Sequence, residues 1–255
     1  MSHYVDLNSD LGESFGNYTL GMDSEVLNHV TSANIACGWH AGDPIIMDAT
    51  VRICKEKGVA VGAHPGYPDL MGFGRRAMAV NPAEAKAYMM YQLGALQAFC
   101  DSYDITLQHM KLHGAFYNTA CVTPVLADAI LDGLQAVNPN ISAMVLSGSY
   151  IAQEAQRRGI PVIQEVFADR GYTEKGTLVP RTEEGAFIKD PQEALDRVLM
   201  MVTKGKVVTN TGKTIDIVAD SVCVHGDNPE AIAFTRYIRE GLTKAGVTVA
   251  NFQHR

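Results

Sequence analysis

Several short apolar runs of this chain carry charged, amide or imidazole side chains at positions of one parity. They are Asp6, Asn8 and Asp10 in VDLNSDLG, Asn34 and His40 in SANIACGWH, His109, Lys111 and His113 in HMKLHG, Glu165 and Asp169 in EVFAD, and His225 and Asp227 in VCVHGD. Carboxylates beside imidazoles can pass protons to and from an oriented water, and the same groups can form a divalent-metal shell with open positions. His64, between an apolar run and the rigid turn Pro65-Gly66-Tyr67-Pro68, is a further fixed imidazole. A lysine at an interior position loses its proton unless a carboxylate stands by, so Lys111 needs a partner such as Asp6, Asp10 or Glu165.

These groups act together only if the runs lie side by side. Successive strand side chains point to opposite faces, so residues of one parity share a face. Strands are expected at 4–9, 32–38, 58–63, 105–111, 141–146, 161–167, 220–225 and 247–251, with helical segments between them. Asn81-Pro82-Ala83-Glu84 and Asp190-Pro191-Gln192-Glu193 each read as a capping box with proline in the first helical position, opening helices over about 81–102 and 190–204. Asp43-Pro44, Asn118-Thr119 and Asn228-Pro229 mark further helix starts, and Gly58, Gly159, Gly205 and Gly246 mark stops. Strand-helix alternation implies parallel pairing with right-handed crossovers, and seven or eight such units close into an α/β barrel, here expected as one domain over 1–255. The run 206–217 is read as an inserted hairpin turning at Thr211-Gly212-Lys213.

In such a barrel the active site lies at the C-terminal strand ends. The mouth is therefore expected to hold Asp10, His40, His64, Lys111, His113, Asp169 and His225 as catalytic candidates, with Asp10, His40 and His64 as candidate metal ligands. Asn8 and Asn34 are candidate substrate contacts, as are Arg75 and Arg76 in the glycine-hinged loop MGFGRR, which could grip a carboxylate or phosphate. Asp6, deeper in the first strand, is expected to pair with a lysine or histidine of a neighbouring strand. Asp43 is first a helix cap, and Asp227 competes with Asn228 for a cap, so His225 outranks Asp227. The loop from Asp169-Arg170 to Arg181 is long enough to cover the site.

A formal net charge of −7, with no basic cluster beyond arginine pairs, argues against nucleic acid or an anionic membrane as partner. No apolar stretch approaches a membrane span and no basic leader precedes the first strand, so a cytoplasmic protein acting on a small molecule is expected. Five scattered cysteines without a C-x-x-C pair disfavour a disulfide framework and a thiolate zinc site. A G-x-S-x-G elbow, a Walker loop, H-E-x-x-H and C-G-x-C-W are all absent from the sequence.

The segments VDLNSDLGESFG, ANIACGWHAGDP, GAHPGYPDLMGFGRR, KLHGAFYN, EVFADRGYTEKGTLVPR and VCVHGDNP, collinear from residue 5 to 229, closely resemble the LamB/YcsF family. The resemblance implies a distorted TIM-like barrel related to polysaccharide-deacetylase-like barrels. It also implies a role in the ATP-dependent hydrolytic opening of 5-oxo-L-proline to L-glutamate together with two partner subunits, ATP being a co-substrate of the complex. The chain departs from the family pattern at Ser9, Ser14, Trp39 and Leu112, none of them a charged candidate, and these changes could mark a paralogue with a different ring substrate. Two other readings stay open: a stand-alone metal-dependent amidohydrolase or deacetylase, and a non-catalytic lactam-binding subunit.

Overall fold

The computed structural model describes residues 3–226 and 228–252; the Asp227 reading lies outside the described residues. In chain order the elements are β1 (Tyr4–Leu11), α1 (Asp23–Val26), β2 (Ser32–Ala36), α2 (Pro44–Lys57), β3 (Ala60–His64), α3 (Pro82–Ser102), β4 (Leu107–Met110), α4 (Gly114–Val122) and α5 (Pro124–Val137). They continue with β5 (Ser142–Leu146), α6 (Tyr150–Arg157), β6 (Val162–Phe167), α7 (Pro191–Lys204), β7 (Lys206–Val208), β8 (Thr214–Asp216), β9 (Ser221–Cys223), α8 (Pro229–Lys244) and β10 (Thr248–Val249).

Strands β1 to β6 pair in sequence order, all parallel, and β9 closes the ring by pairing with both β6 and β1. The result is a closed parallel barrel of seven strands wrapped by helices, within the seven-or-eight range expected. The eighth expected strand, β10, instead pairs with Tyr4 and Val5 at the start of β1, at the end opposite the active-site mouth. The antiparallel β7–β8 pair is the expected hairpin; Gly212, with φ of +83°, makes its turn.

β1 is buried on both faces. Asp6, Asn8 and Asp10 meet polar groups of β2 and β9 across the barrel interior, so Val5, Leu7 and Leu11, of the other parity, face the helix layer. A register shift beside Gln108 separates the pairs Val61–Leu107 and Gly62–His109. Gly62 is required there, because a Cβ would lie 2.1 Å from the His109 ring.

The helix starts follow the caps with two corrections. Asn81 and Glu84 form the full reciprocal capping box, whereas at Asp190 the side chain accepts from the Glu193 amide without the return bond. Asn118-Thr119 is not a helix start: it lies inside α4, and the starts are at Gly114 and at Pro124, one residue after Thr123. Neither of those two starts has a side-chain cap, although Pro124 opens α5 in the first helical position. Among the described residues no single helix is long and apolar enough to cross a membrane.

Candidate active site

The barrel interior is layered. At the bottom, Asp6 accepts hydrogen bonds from Thr31 Oγ1 at 2.6 Å, Ser32 Oγ at 2.7 Å and Ser221 Oγ. Hydroxyls contributed by the flanking strands are thus among the partners of Asp6. Above it, Asn8 donates to Ser221, Asn34 Nδ2 donates to Asn8 Oδ1 and Asp10 Oδ1, and His109 Nε2 meets Asn34 Oδ1 at 2.7 Å. Burial, then the Lys111 charge, lower the His109 pKa to about 3, so this imidazole is a neutral strut. Asn8 and Asn34 are fully buried in this layer and do not line the cavity above, which corrects their reading as substrate contacts.

Lys111, in the residue after β4, crosses the interior. Its Nζ lies 2.9 Å from Asp10 Oδ1, 2.8 Å from Glu165 Oε1 and 3.2 Å from both Asn8 Oδ1 and Cys223 Sγ. Burial pushes its pKa down, but Asp10, Cys223 and Glu165 outweigh that and hold it well above the ordinary lysine value. Tyr117, on α4, donates to Glu165 Oε2 at 2.8 Å. Burial raises the Glu165 carboxyl despite Lys111, while at Asp10 the neighbouring His64 and Lys111 overcome burial and hold the carboxyl well below its usual range. Asp10 therefore stands ionised at the floor of the cavity.

Three imidazoles gather beside it. His64 at the end of β3 places Nδ1 2.8 Å from the Lys111 carbonyl and Nε2 3.3 Å from Asp10 Oδ2. His113 directs Nε2 at the Phe73 carbonyl, 2.8 Å away, and Nδ1 at His64 Nε2, 2.9 Å away. Gly74, with φ of +61°, allows this approach, since a Cβ there would press on both His40 and His113. His40 lies behind, its ring stacked on His113 at 3.7 Å and 4°, and its Nε2 meets Glu13 Oε1 at 3.1 Å. Burial lowers His113 to about 3 and holds His40 well below its ordinary value, so both are neutral. His40 has no exposed surface and is absent from the cavity wall. The expected metal trio is therefore split: Asp10 faces His64, and His40 faces Glu13.

On the opposite wall, His225, just beyond β9, places Nδ1 2.9 Å from Asp169 Oδ2. Burial works against the ionised Asp169, but His225 outweighs it and lowers the carboxyl pKa. Asp169 thus orients His225, and it is His225 that lines the cavity.

The cavity, of about 440 Å³, opens at the strand ends and includes Asp10, Glu13, His64, Lys111, His113 and His225 in its lining. Three arginines also reach it: Arg75, Arg170 and Arg181. Arg170 donates to the Ala186 and Val179 carbonyls, fixing the loop that carries Arg181. Burial, then the Arg75 charge, lower the Arg181 pKa, as expected for a guanidinium held near another. Arg76 is a correction: its guanidinium is bound by Asp69, the cap of the 3-10 turn Leu70–Gly72, and it does not line the cavity.

Sequence reasoning left out Glu13, Tyr117 and Arg181 as site residues, and gave Glu165 only a pairing role. Glu13 and Arg181 sit in loops where strand parity gives no signal, and a charge close to glycine or proline was the one available sign.

Known proteins with related sequences agree with this architecture. The chain is 60% identical to the A subunit of 5-oxoprolinase from Fusobacterium nucleatum, over 98% of this chain and 97% of the relative. It is 53% identical to the protein of the same name from Pyrococcus abyssi, over 96% of each. The crystal structure of the lactam utilization protein from Thermus thermophilus superposes with a TM-score of 0.92 at 45% identity, covering 98% of this chain and 100% of that one. The LamB/YcsF family model matches residues 5–255, and the chain belongs to the LamB/YcsF family.

Proposed function

We propose that this chain is the ring-opening subunit of an ATP-dependent 5-oxoprolinase, converting 5-oxo-L-proline to L-glutamate with two partner subunits. The observation that carries the reading is one cavity with three chemically distinct walls: Asp10 with His64, His225 with Asp169, and the arginines Arg75 and Arg181. The names of the relatives supply the substrate and the existence of other subunits.

The lactam carboxylate would lie between Arg75 and Arg181, where a guanidinium pair favours an anion. The Asp10–His64 pair accepts a proton from water as its oxygen adds to the ring carbonyl carbon. Lys111, whose ammonium is held at the cavity floor, stabilises the negative oxygen that develops. The ring C–N bond then breaks as the His225 imidazolium, its Nδ1–H held by Asp169, gives its Nε2 proton to the departing nitrogen. ATP use belongs to the assembled enzyme, because the chain has no Walker loop of its own. Five unpaired, buried cysteines suit the reducing cytoplasm.

The test is glutamate release from 5-oxoproline by the purified chain, alone and with its partner subunits, with and without ATP. Release only by the ATP-supplied complex supports the proposal. ATP-independent turnover by the chain alone would favour a stand-alone amidohydrolase instead.

A further inference from the structure

The contact between His64 Nε2 and His113 Nδ1, 2.9 Å apart, has an electrostatic consequence. Each ring presents its other nitrogen to a backbone carbonyl, of Lys111 and of Phe73, and a carbonyl can only accept a proton. Both N–H positions are thereby assigned, and two lone pairs face each other across the gap. Two lone pairs repel in this arrangement, so the gap calls for a cation, either one proton or a metal ion. Backbone carbonyls behind the outer N–H groups are the usual outer shell of metal-binding histidines. Two nitrogens bound at about 2.1 Å stand about 3 Å apart at an octahedral right angle and about 3.4 Å apart at a tetrahedral angle, against 2.9 Å here.

The carboxylates complete the set. Asp10 Oδ2 lies 3.3 Å from His64 Nε2, while Oδ1 is anchored by Lys111 and Asn34, leaving the Oδ2 side turned to the histidines. Glu13 Oε1 lies 3.7 Å from His113 Nδ1. All four residues line the cavity, so a cation there would retain open positions toward a substrate.

Glu13, His40, His64 and His113 also offer ligand atoms within 4.8 Å of one another, but the ring geometry removes His40. Its plane is parallel to that of His113, 3.7 Å away, and one cation cannot lie in both ring planes. The other candidate group, Asp10, Cys223 and His225, would need a thiolate, and burial pushes the Cys223 thiol well above its ordinary pKa.

We propose that His64 Nε2, His113 Nδ1, Asp10 and Glu13 form a binding site for one divalent transition-metal ion on the cavity wall, with His40 outside the ligand set. Two imidazoles and two carboxylates suit zinc, cobalt or manganese. The ion would act as a Lewis acid toward water or the ring carbonyl, lowering the pKa of a water whose proton a carboxylate of the site would take up. The inference deepens the proposed hydrolytic role of this cavity, but its test needs neither turnover nor partner subunits.

The isolated chain, stripped with a chelator and dialysed, is titrated calorimetrically with Zn²⁺ and with Co²⁺. One ion per chain is expected, with the visible absorption of nitrogen- and oxygen-bound Co²⁺. His64→Ala and His113→Ala, checked by circular dichroism, should each weaken binding by more than 100-fold, beyond the range of about 10–100-fold typical of outer-shell changes, and His40→Ala by less. Should these variants fail to fold, histidine ¹⁵N resonances of the wild-type chain decide. On Zn²⁺ addition, His64 Nε2 and His113 Nδ1 should shift, while the His40 nitrogens remain unligated. Absence of saturable binding, or a proton shared between His64 and His113 that Zn²⁺ does not displace, would overturn the proposal. So would binding that depends on His40 as strongly as on His113. A chain that binds the ion but does not support 5-oxoproline hydrolysis would contradict the proposed function and leave this site standing.

Discussion

Lys111 Nζ lies 2.8 Å from Glu165 Oε1, and the same ammonium lies 2.9 Å from Asp10 Oδ1, so one cation from the end of β4 joins carboxylates of β1 and β6 across the barrel. Removing it leaves the buried Glu165 carboxyl and the half-buried Asp10 carboxylate without their shared cation. Lys111→Met should therefore destabilise the chain by about 3–5 kcal/mol, the range for breaking a buried pair by deleting one partner. Urea denaturation of the isolated chain measures this, and an unchanged midpoint would contradict the pairing. Glu165→Gln, which keeps the Tyr117 contact and removes only one charge, should cost less.

The arginines separate by role. Arg75→Ala and Arg181→Ala should each raise KM by about 10–150-fold, corresponding to about 1.5–3 kcal/mol for a hydrogen bond to a charged group, with a smaller effect on kcat. Arg76→Ala should leave KM near the wild-type value, because its guanidinium is bound to Asp69 outside the cavity. Steady-state kinetics of the assembled enzyme with varied 5-oxoproline reads all three.

Asp169 acts through His225. Asp169→Asn should reduce kcat by about 10²–10⁴-fold, the span of general acid–base contributions, while substrate binding changes little. A variant with unchanged kcat would show that the imidazole needs no such orientation.

Much of this site was legible from sequence because strand geometry is periodic. Asp10, Lys111 and His113 meet at one cavity since β1 and β4 deliver one parity inward, and His64 since β3 ends at a rigid turn. Parity could not distinguish layers along the strand axis, which is why Asn8 and Asn34 read as substrate contacts although they lie beneath the cavity. Loops carry no such period. Arg76 and Arg75 are adjacent in sequence, yet a 3-10 turn capped by Asp69 sends one away and leaves the other on the cavity wall. His40 is displaced for a similar reason: its ring stacks behind His113, a tertiary packing event with no local sequence mark.

Away from the site, Glu154 on α6 accepts hydrogen bonds from Arg157 and Arg158, which lower its carboxyl from 4.5 to about 2. A carboxyl depressed in the folded state stabilises the fold above its unfolded pKa and loses that contribution as pH falls through the folded value. Glu154→Gln should thus lower Tm at neutral pH, and its deficit relative to wild type should shrink from pH 4.5 toward about 2. Thermal melts at a series of pH values check this; a deficit that grows on acidification would reverse the assigned sign.

The central claim is that the cavity of this chain performs the ring opening. The most direct measurement is glutamate formed from 5-oxoproline and ATP by the complex reassembled with Asp10→Asn or His225→Ala, with assembly verified by size-exclusion chromatography. The account predicts intact complexes whose glutamate release falls by about 10²–10⁴-fold, the span of general acid–base contributions. Intact complexes that release glutamate at the wild-type rate would contradict it, and would reduce this chain to a lactam-binding or scaffolding subunit.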